Sequence, residues 1–200
     1  MNCVIRALNR RGIEKVYRLY VSRFFKEDEL LQAFDIANLI SRKLYRGFGL
    51  YDGGVLVAFG LFFTSAGGQV MLLDYFVTLK KYRGYGYSMD FFKGLAEYLR
   101  EVKQTPYNRV CGIFIEIPGV QDLTKRELKK REALLSFYKE AGAYMSDIIP
   151  QILDKEYNVL FLPVAKVPGR DELKPLLLSV YKNILPSFSD VKKKVARLTE

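Results

Sequence analysis

Residues 72–99 read LLDYFVTLKKYRGYGYSMDFFKGLAEYL, and this stretch decides the fold. An apolar run, Val70 to Leu79, reads as a buried strand broken by Asp74. Apolar residues at Met89, Phe92, Leu95, Ala96 and Leu99 then recur at three and four positions, so a helix running to about Val102 buries one face. Between them lies a basic turn with Gly84 and Gly86, which lack a Cβ where the backbone bends sharply and a ligand would approach. The free N–H groups opening the helix can bind phosphate oxygens, helped by the positive end of the helix dipole. Lys80, Lys81 and Arg83 add charge beside them.

Outward from this unit the chain alternates between strand and helix signals. Toward the N-terminus, Cys3 to Leu8 reads as a first strand. A helix follows with Ile13, Val16, Tyr17, Tyr20 and Phe24 inward. A second helix spans about Asp28 to Leu44, with Leu30, Leu31, Phe34, Ala37 and Ile40 inward. Gly47 to Tyr51, the turn Asp52-Gly53-Gly54 and Val55 to Phe63 form a hairpin. Toward the C-terminus, Val110 to Ile117 is a strand. Thr124-Lys-Arg-Glu127 is a capping box opening a helix that ends near Gly142. A short strand is expected over Ala143 to Ile148 and a last one over Tyr157 to Val164. This order implies a mixed α/β sheet with helices on both faces, residues 1–165. Residues 166–200 read as a helical extension, one-sided through Leu173, Leu176, Leu177, Val180, Tyr181 and Ile184. That face either packs on the main domain or forms a homodimer contact. The run Lys192 to Lys194 reads as solvated.

Composition excludes several chemistries. The 200 residues contain no His, so Ser-His-Asp machinery and His-ligated zinc are out. Two distant cysteines, Cys3 and Cys111, make neither a metal site nor a disulfide framework, and a reduced cytoplasmic setting fits. No metal is expected. Lys and Arg outnumber Asp and Glu by 32 to 22, for a net charge of +10, which implies an anionic partner. The first residues carry charge at once, unlike a secretory signal, and the longest apolar stretch is too short to span a membrane. The positive charge is dispersed and no nucleic-acid motif is present, so no nucleic-acid partner is expected.

The glycine turn is neither a P-loop nor a dinucleotide fingerprint: GxxxxGK[ST] is absent, and Met89 stands where a third Gly would be. Instead, Arg83-Gly84-Tyr85-Gly86-Tyr87-Ser88 resembles the R/Q-x-x-G-x-G/A acetyl-CoA motif of the GNAT N-acetyltransferase superfamily. Arg83, Gly86 and Ser88 match its first, fourth and last positions. The preceding LDYFVTLKKYRG is similar to the family's fourth strand, and Leu135-Ser-Phe-Tyr138-Lys-Glu-Ala-Gly142 to its FYxxxG segment. Departures are Ser88 for Gly or Ala, Leu79-Lys80 for Asp-Pro, and Ala143 after Gly142 where Phe is commoner.

The resemblance implies a mostly antiparallel central sheet and direct acetyl transfer from acetyl-CoA, the cosubstrate, to a primary amine. The acceptor would be a small molecule or a protein amine. It places the pantetheine arm on the backbone of Val77, Thr78 and Leu79, and the pyrophosphate on the turn from Arg83 to Ser88. It makes Tyr138 the acid that protonates the leaving thiolate. Asp74 and Glu116, carboxylates inside apolar strands, are the candidate bases, with a water chain as the alternative. Strand alternation sets Leu72, Asp74, Phe76 and Thr78 on one side, and Phe114 with Glu116 on one side. A non-catalytic module of the same fold, binding CoA or a partner, is the competing reading.

Overall fold

The β-branched and aromatic residues of the first half pair in chain order. β1 (Cys3–Leu8) runs antiparallel to β2 (Tyr45–Asp52), β2 to β3 (Val55–Thr64), and β3 to β4 (Val70–Thr78). The structure is a computed structural model that describes residues 2–24, 33–102, 110–121, 123–152, 155–165 and 168–184. β4 then runs parallel to β5 (Gly112–Pro118), reached through α4 (Tyr87–Glu101). β8 (Lys155–Pro163) pairs antiparallel with β5 and also with the two-residue strands β6 (Tyr144–Met145) and β7 (Gln151–Ile152). The spatial order is β1-β2-β3-β4-β5-β8-β6, a mixed and mostly antiparallel sheet as the sequence implies.

Each face of the sheet carries its own core. One face is covered by α1 (Arg10–Val16), α3 (Ala33–Ser41) and α6 (Arg170–Ile184) through Ile13, Val16, Ile36, Leu39, Leu173, Leu177 and Val180. The other is covered by α4 and α5 (Lys125–Glu140) through Phe91, Phe92, Leu95, Leu99 and Tyr138. The α6 face packs on this domain, lying across β3 and β4. The capping box forms: Thr124 accepts from the Glu127 amide, and the Glu127 carboxylate accepts from the Thr124 amide at 2.9 Å.

Several boundaries and faces differ from the sequence reading. α1 runs into a π-helical turn (Tyr17–Val21) and then α2 (Ser22–Phe24). The wider turn advances the inward face, so Val21 is fully buried and Tyr20 only half. α3 ends at Ser41, before Leu44, because Lys43 takes a left-handed φ of 59° and the Leu44 amide turns back to Leu39 O. Its most buried residues are Ile36 and Leu39, with Ala37 and Ile40 half-buried. Residues 28–32 and 192–194 lie outside the described residues. In α4, Phe91 is buried and Met89 only half. β6 stops at Met145 because the Ser146 amide and hydroxyl both bond to Val159 O.

Candidate active site

The parallel ladder between β4 and β5 lasts three residue pairs, Val70 with Gly112, Met71 with Ile113 and Leu72 with Phe114. Beyond them β4 continues to Thr78 and β5 to Pro118 without pairing to each other. An open seam results, lined by main-chain polar groups that a ligand can satisfy. The Leu79 amide bonds to Val57 O at 3.0 Å, so it serves β3 and not the seam. The two-residue alternation of an antiparallel ladder therefore turns the amides of Thr78 and Phe76 toward the seam.

A β-bulge sits on β4 where the seam opens. Leu61 pairs with Tyr75 and Phe62 with Leu73, leaving Asp74 unpaired. Two neighbours then share a face, and the alternation inverts beyond them. Leu72, Tyr75 and Val77 join the core under α1 and α6, while Phe76 packs on Phe91 and Phe92 of α4. Thr78 bonds to Ser88, also on the α4 side. The expected single side for Leu72, Asp74, Phe76 and Thr78 is thus corrected: only Leu72 and Asp74 remain together.

Asp74 is half-buried and accepts a hydrogen bond from the Tyr45 hydroxyl of β2. Burial, opposed by that bond and reinforced by the negative charge of Glu116, raises its pKa to about 8. Glu116 is also half-buried; its pKa rises to about 7 through burial, and it accepts from the Tyr181 hydroxyl of α6. Phe114, as expected, shares its face. The two carboxyls thus stand on opposite lips of the seam, and Asp74 feels the charge of Glu116. Tyr45 and Tyr181 escaped the sequence reading because a tyrosine at an inward position looks the same whether or not its hydroxyl has a partner.

The glycine turn lies at the far end of β4. A 3₁₀ turn (Lys80–Tyr82) leads into Gly84 and Gly86, at φ of 86° and 83°, with open space where a Cβ would stand. The amides of Gly84, Tyr85, Gly86, Tyr87 and Ser88 have no acceptor among the described residues. Five such donors at the N-terminus of a 15-residue helix suit a diphosphate. The side chains divide the remaining work. Arg83 Nε bonds to Thr78 O at 3.2 Å, Ser88 Oγ lies 2.9 Å from Thr78 Oγ1, and Tyr85 is 64% exposed. Tyr87 is buried, with its hydroxyl donating to Asp52 at 2.6 Å, so only its main chain is open to a ligand.

Tyr138 projects from α5 into the opposite core, against Phe92 and Phe137. Its hydroxyl has no hydrogen-bond partner among the described residues, and burial pushes its pKa above the usual phenol value. Arg131 anchors the same helix beside β5, donating to Pro118 O at 2.8 Å and to Asn158.

An acetyltransferase of the GNAT family from Bacteroides thetaiotaomicron superposes with a TM-score of 0.62, covering 88% of this chain and 98% of its own, at 12% identity. The chain has the GNAT N-acetyltransferase fold. The Vibrio cholerae spermidine N-acetyltransferase, solved with CoA and spermine, shares that GNAT fold at a TM-score of 0.55 and 13% identity, over 80% of this chain and 95% of its own. The Escherichia coli ribosomal-protein-S18-alanine N-acetyltransferase does so at 0.54 and 14%, over 84% and 97%. No family model and no curated protein matches the sequence. Among the described residues, no helix is long and apolar enough to cross a membrane, and no cluster of ligating side chains could hold a metal ion.

Proposed function

We propose that this chain is an N-acetyltransferase that uses acetyl-CoA and delivers the acetyl group directly to a primary amine. The observation that carries this reading is the row of five amides, residues 84–88, that have no acceptor among the described residues, at the end of an open seam in a GNAT fold. These groups suit the pyrophosphate, and the seam-facing amides of Phe76 and Thr78 suit the pantetheine arm. When bound, the cosubstrate supplies an acetyl carbon activated as a thioester.

The chain's own residues then have three tasks. Glu116, with a pKa of about 7, can attract a cationic amine and take its proton near neutrality, and Asp74, with a pKa of about 8, can do so once it has ionised at higher pH. The freed amine attacks the carbonyl carbon, the C–N bond forms, and the C–S bond breaks. Tyr138, held protonated at neutral pH by burial, gives its proton to the thiolate. The same burial disfavours a lasting tyrosinate, so the second nitrogen proton, released as the amide forms, must reach it through water within the turnover. Its approach is from the α5 face, opposite the carboxyls, which separates acid from base across the seam.

The acceptor is an amine, as the spermidine and ribosomal-protein-S18-alanine N-acetyltransferases of the same fold suggest, and those two differ widely in acceptor size. Cys3 and Cys111 form no disulfide, which suits the cytoplasm, where acetyl-CoA is supplied. Calorimetry with CoA, followed by acetyl-CoA consumption over an amine panel, tests the proposal. Tyr138→Phe should leave CoA binding intact and lower kcat on the order of 100-fold. A protein that binds CoA and acetylates no amine would be a binding module, and one that gives no binding heat would end the proposal.

A further inference from the structure

Glu116 is the next-to-last apolar-side residue of β5, and its surroundings are mostly hydrocarbon. Val159 of β8 stands opposite it, with Phe161 two residues along on the same face. Across the seam stands Asp74, backed by Tyr45, which is flanked in turn by Tyr75 of β4 and Tyr17 of the π-helical turn. α6 supplies the polar group that meets Glu116 directly, the Tyr181 hydroxyl. The charged residues of α6, Arg170, Asp171, Glu172, Lys174 and Lys182, are all exposed and face away from the sheet. Tyr181 is 7% exposed, and its neighbours Leu177, Val180 and Ile184 are buried with it, so the ring is fixed by packing. Since α6 lies across β3 and β4 while Tyr181 reaches β5, the helix bridges the strands that part at the seam.

We infer that α6 is a working part of the acceptor site, in which Tyr181 is a positioning residue that orients the Glu116 carboxyl across the seam and steadies its ionised form. This rests on the acetyl-transfer reading for its role in turnover, though the contact itself does not. A phenol donor bonded to a carboxylate favours the charged form, and so opposes the burial that otherwise keeps Glu116 protonated. Glu116 is thereby ready to receive the ammonium proton, in one fixed orientation, whenever α6 is seated. Asp74 has the matching arrangement with Tyr45, which belongs to the sheet itself. Of the two, the Glu116 side depends on α6, the last of the described elements.

Infrared titration of the carboxyl stretch reads this coupling without turnover, with Glu116→Gln assigning the band. Tyr181→Phe keeps the packed ring and removes the donor. It is expected to raise the Glu116 midpoint by about one pH unit. With an amine that the parent acetylates, the rising limb of kcat/KM should move by the same amount, while CoA affinity stays within twofold. In the Glu116→Gln background, Tyr181→Phe should move neither. Should Tyr181→Phe not fold, Glu116→Gln alone leaves α6 untouched and should shift the C–O stretch of the Tyr181 phenol. An unmoved Glu116 midpoint, or an unmoved phenol stretch in that second variant, overturns the inference. A moved midpoint in a protein that acetylates no amine overturns the acetyl-transfer reading and leaves the Tyr181–Glu116 coupling standing.

Discussion

At the residue scale, the two carboxyls make the fold answer to pH in an unusual direction. Folded Asp74 keeps its proton up to about pH 8, against 3.8 for an ordinary aspartate. Between those values the native state binds a proton that the unfolded chain has released, so stability is full below the lower value and falls as pH rises through the upper one. The slope is at most about 1.4 kcal/mol per pH unit for each such proton. Glu116 acts with the same sign between 4.5 and about 7. Asp74→Asn removes the titration and keeps an oxygen for Tyr45. Thermal melts should find the variant more stable than the parent at pH 9, with the difference shrinking toward pH 5. That Asp74 and Glu116 mattered was legible, because a carboxylate in an apolar strand demands an explanation. Their tyrosine partners were not, since those contacts join residues 29 and 65 positions apart.

At the element scale, local chemistry was read well and shifts of phase were not. The Thr124–Glu127 box satisfies its donors within one turn, so four residues of sequence contain the whole argument. Thr124→Ala should cost about 1 kcal/mol, seen as a lower Tm, because it strips one acceptor from the start of the helix that carries Tyr138. The bulge at Asp74 is a different case. Whether β4 inserts an extra residue depends on how β3 lies beside it, and neither strand alone encodes that register. The sequence period therefore placed Phe76 and Thr78 beside Asp74, whereas the bulge sends them to the α4 face. The π-helical turn had the same effect on Val21. On β4 the residues were named and only their direction was wrong, whereas at the π-helical turn the buried Val21 was itself missed.

At the scale of the whole molecule, the resemblance carried by the glycine turn and the FY segment was enough to name the architecture, while the strand order came only with the structure. How residues beyond 165 engage the rest was open, because a one-sided apolar helix serves a domain face or a second copy equally well. The structure seats Leu173, Leu177, Val180, Tyr181 and Ile184 in the core with α1 and α3. Fully burying one such side chain is worth about 1.5–3 kcal/mol, and a domain's net stability is roughly 5–15 kcal/mol. A chain ended at Gly169 should therefore lose its cooperative melting transition, which calorimetric scanning would show. The short β4–β5 ladder has a consequence of its own. Among the described residues only three ladder pairs join β4 to β5, so within the sheet β1 through β4 meet the remaining strands along a short seam, which the packed helices bridge. A slender amide-bearing guest in the gap would act as the missing rungs, and the molecule would be stiffest at the moment it is loaded and slackest once the guest has gone.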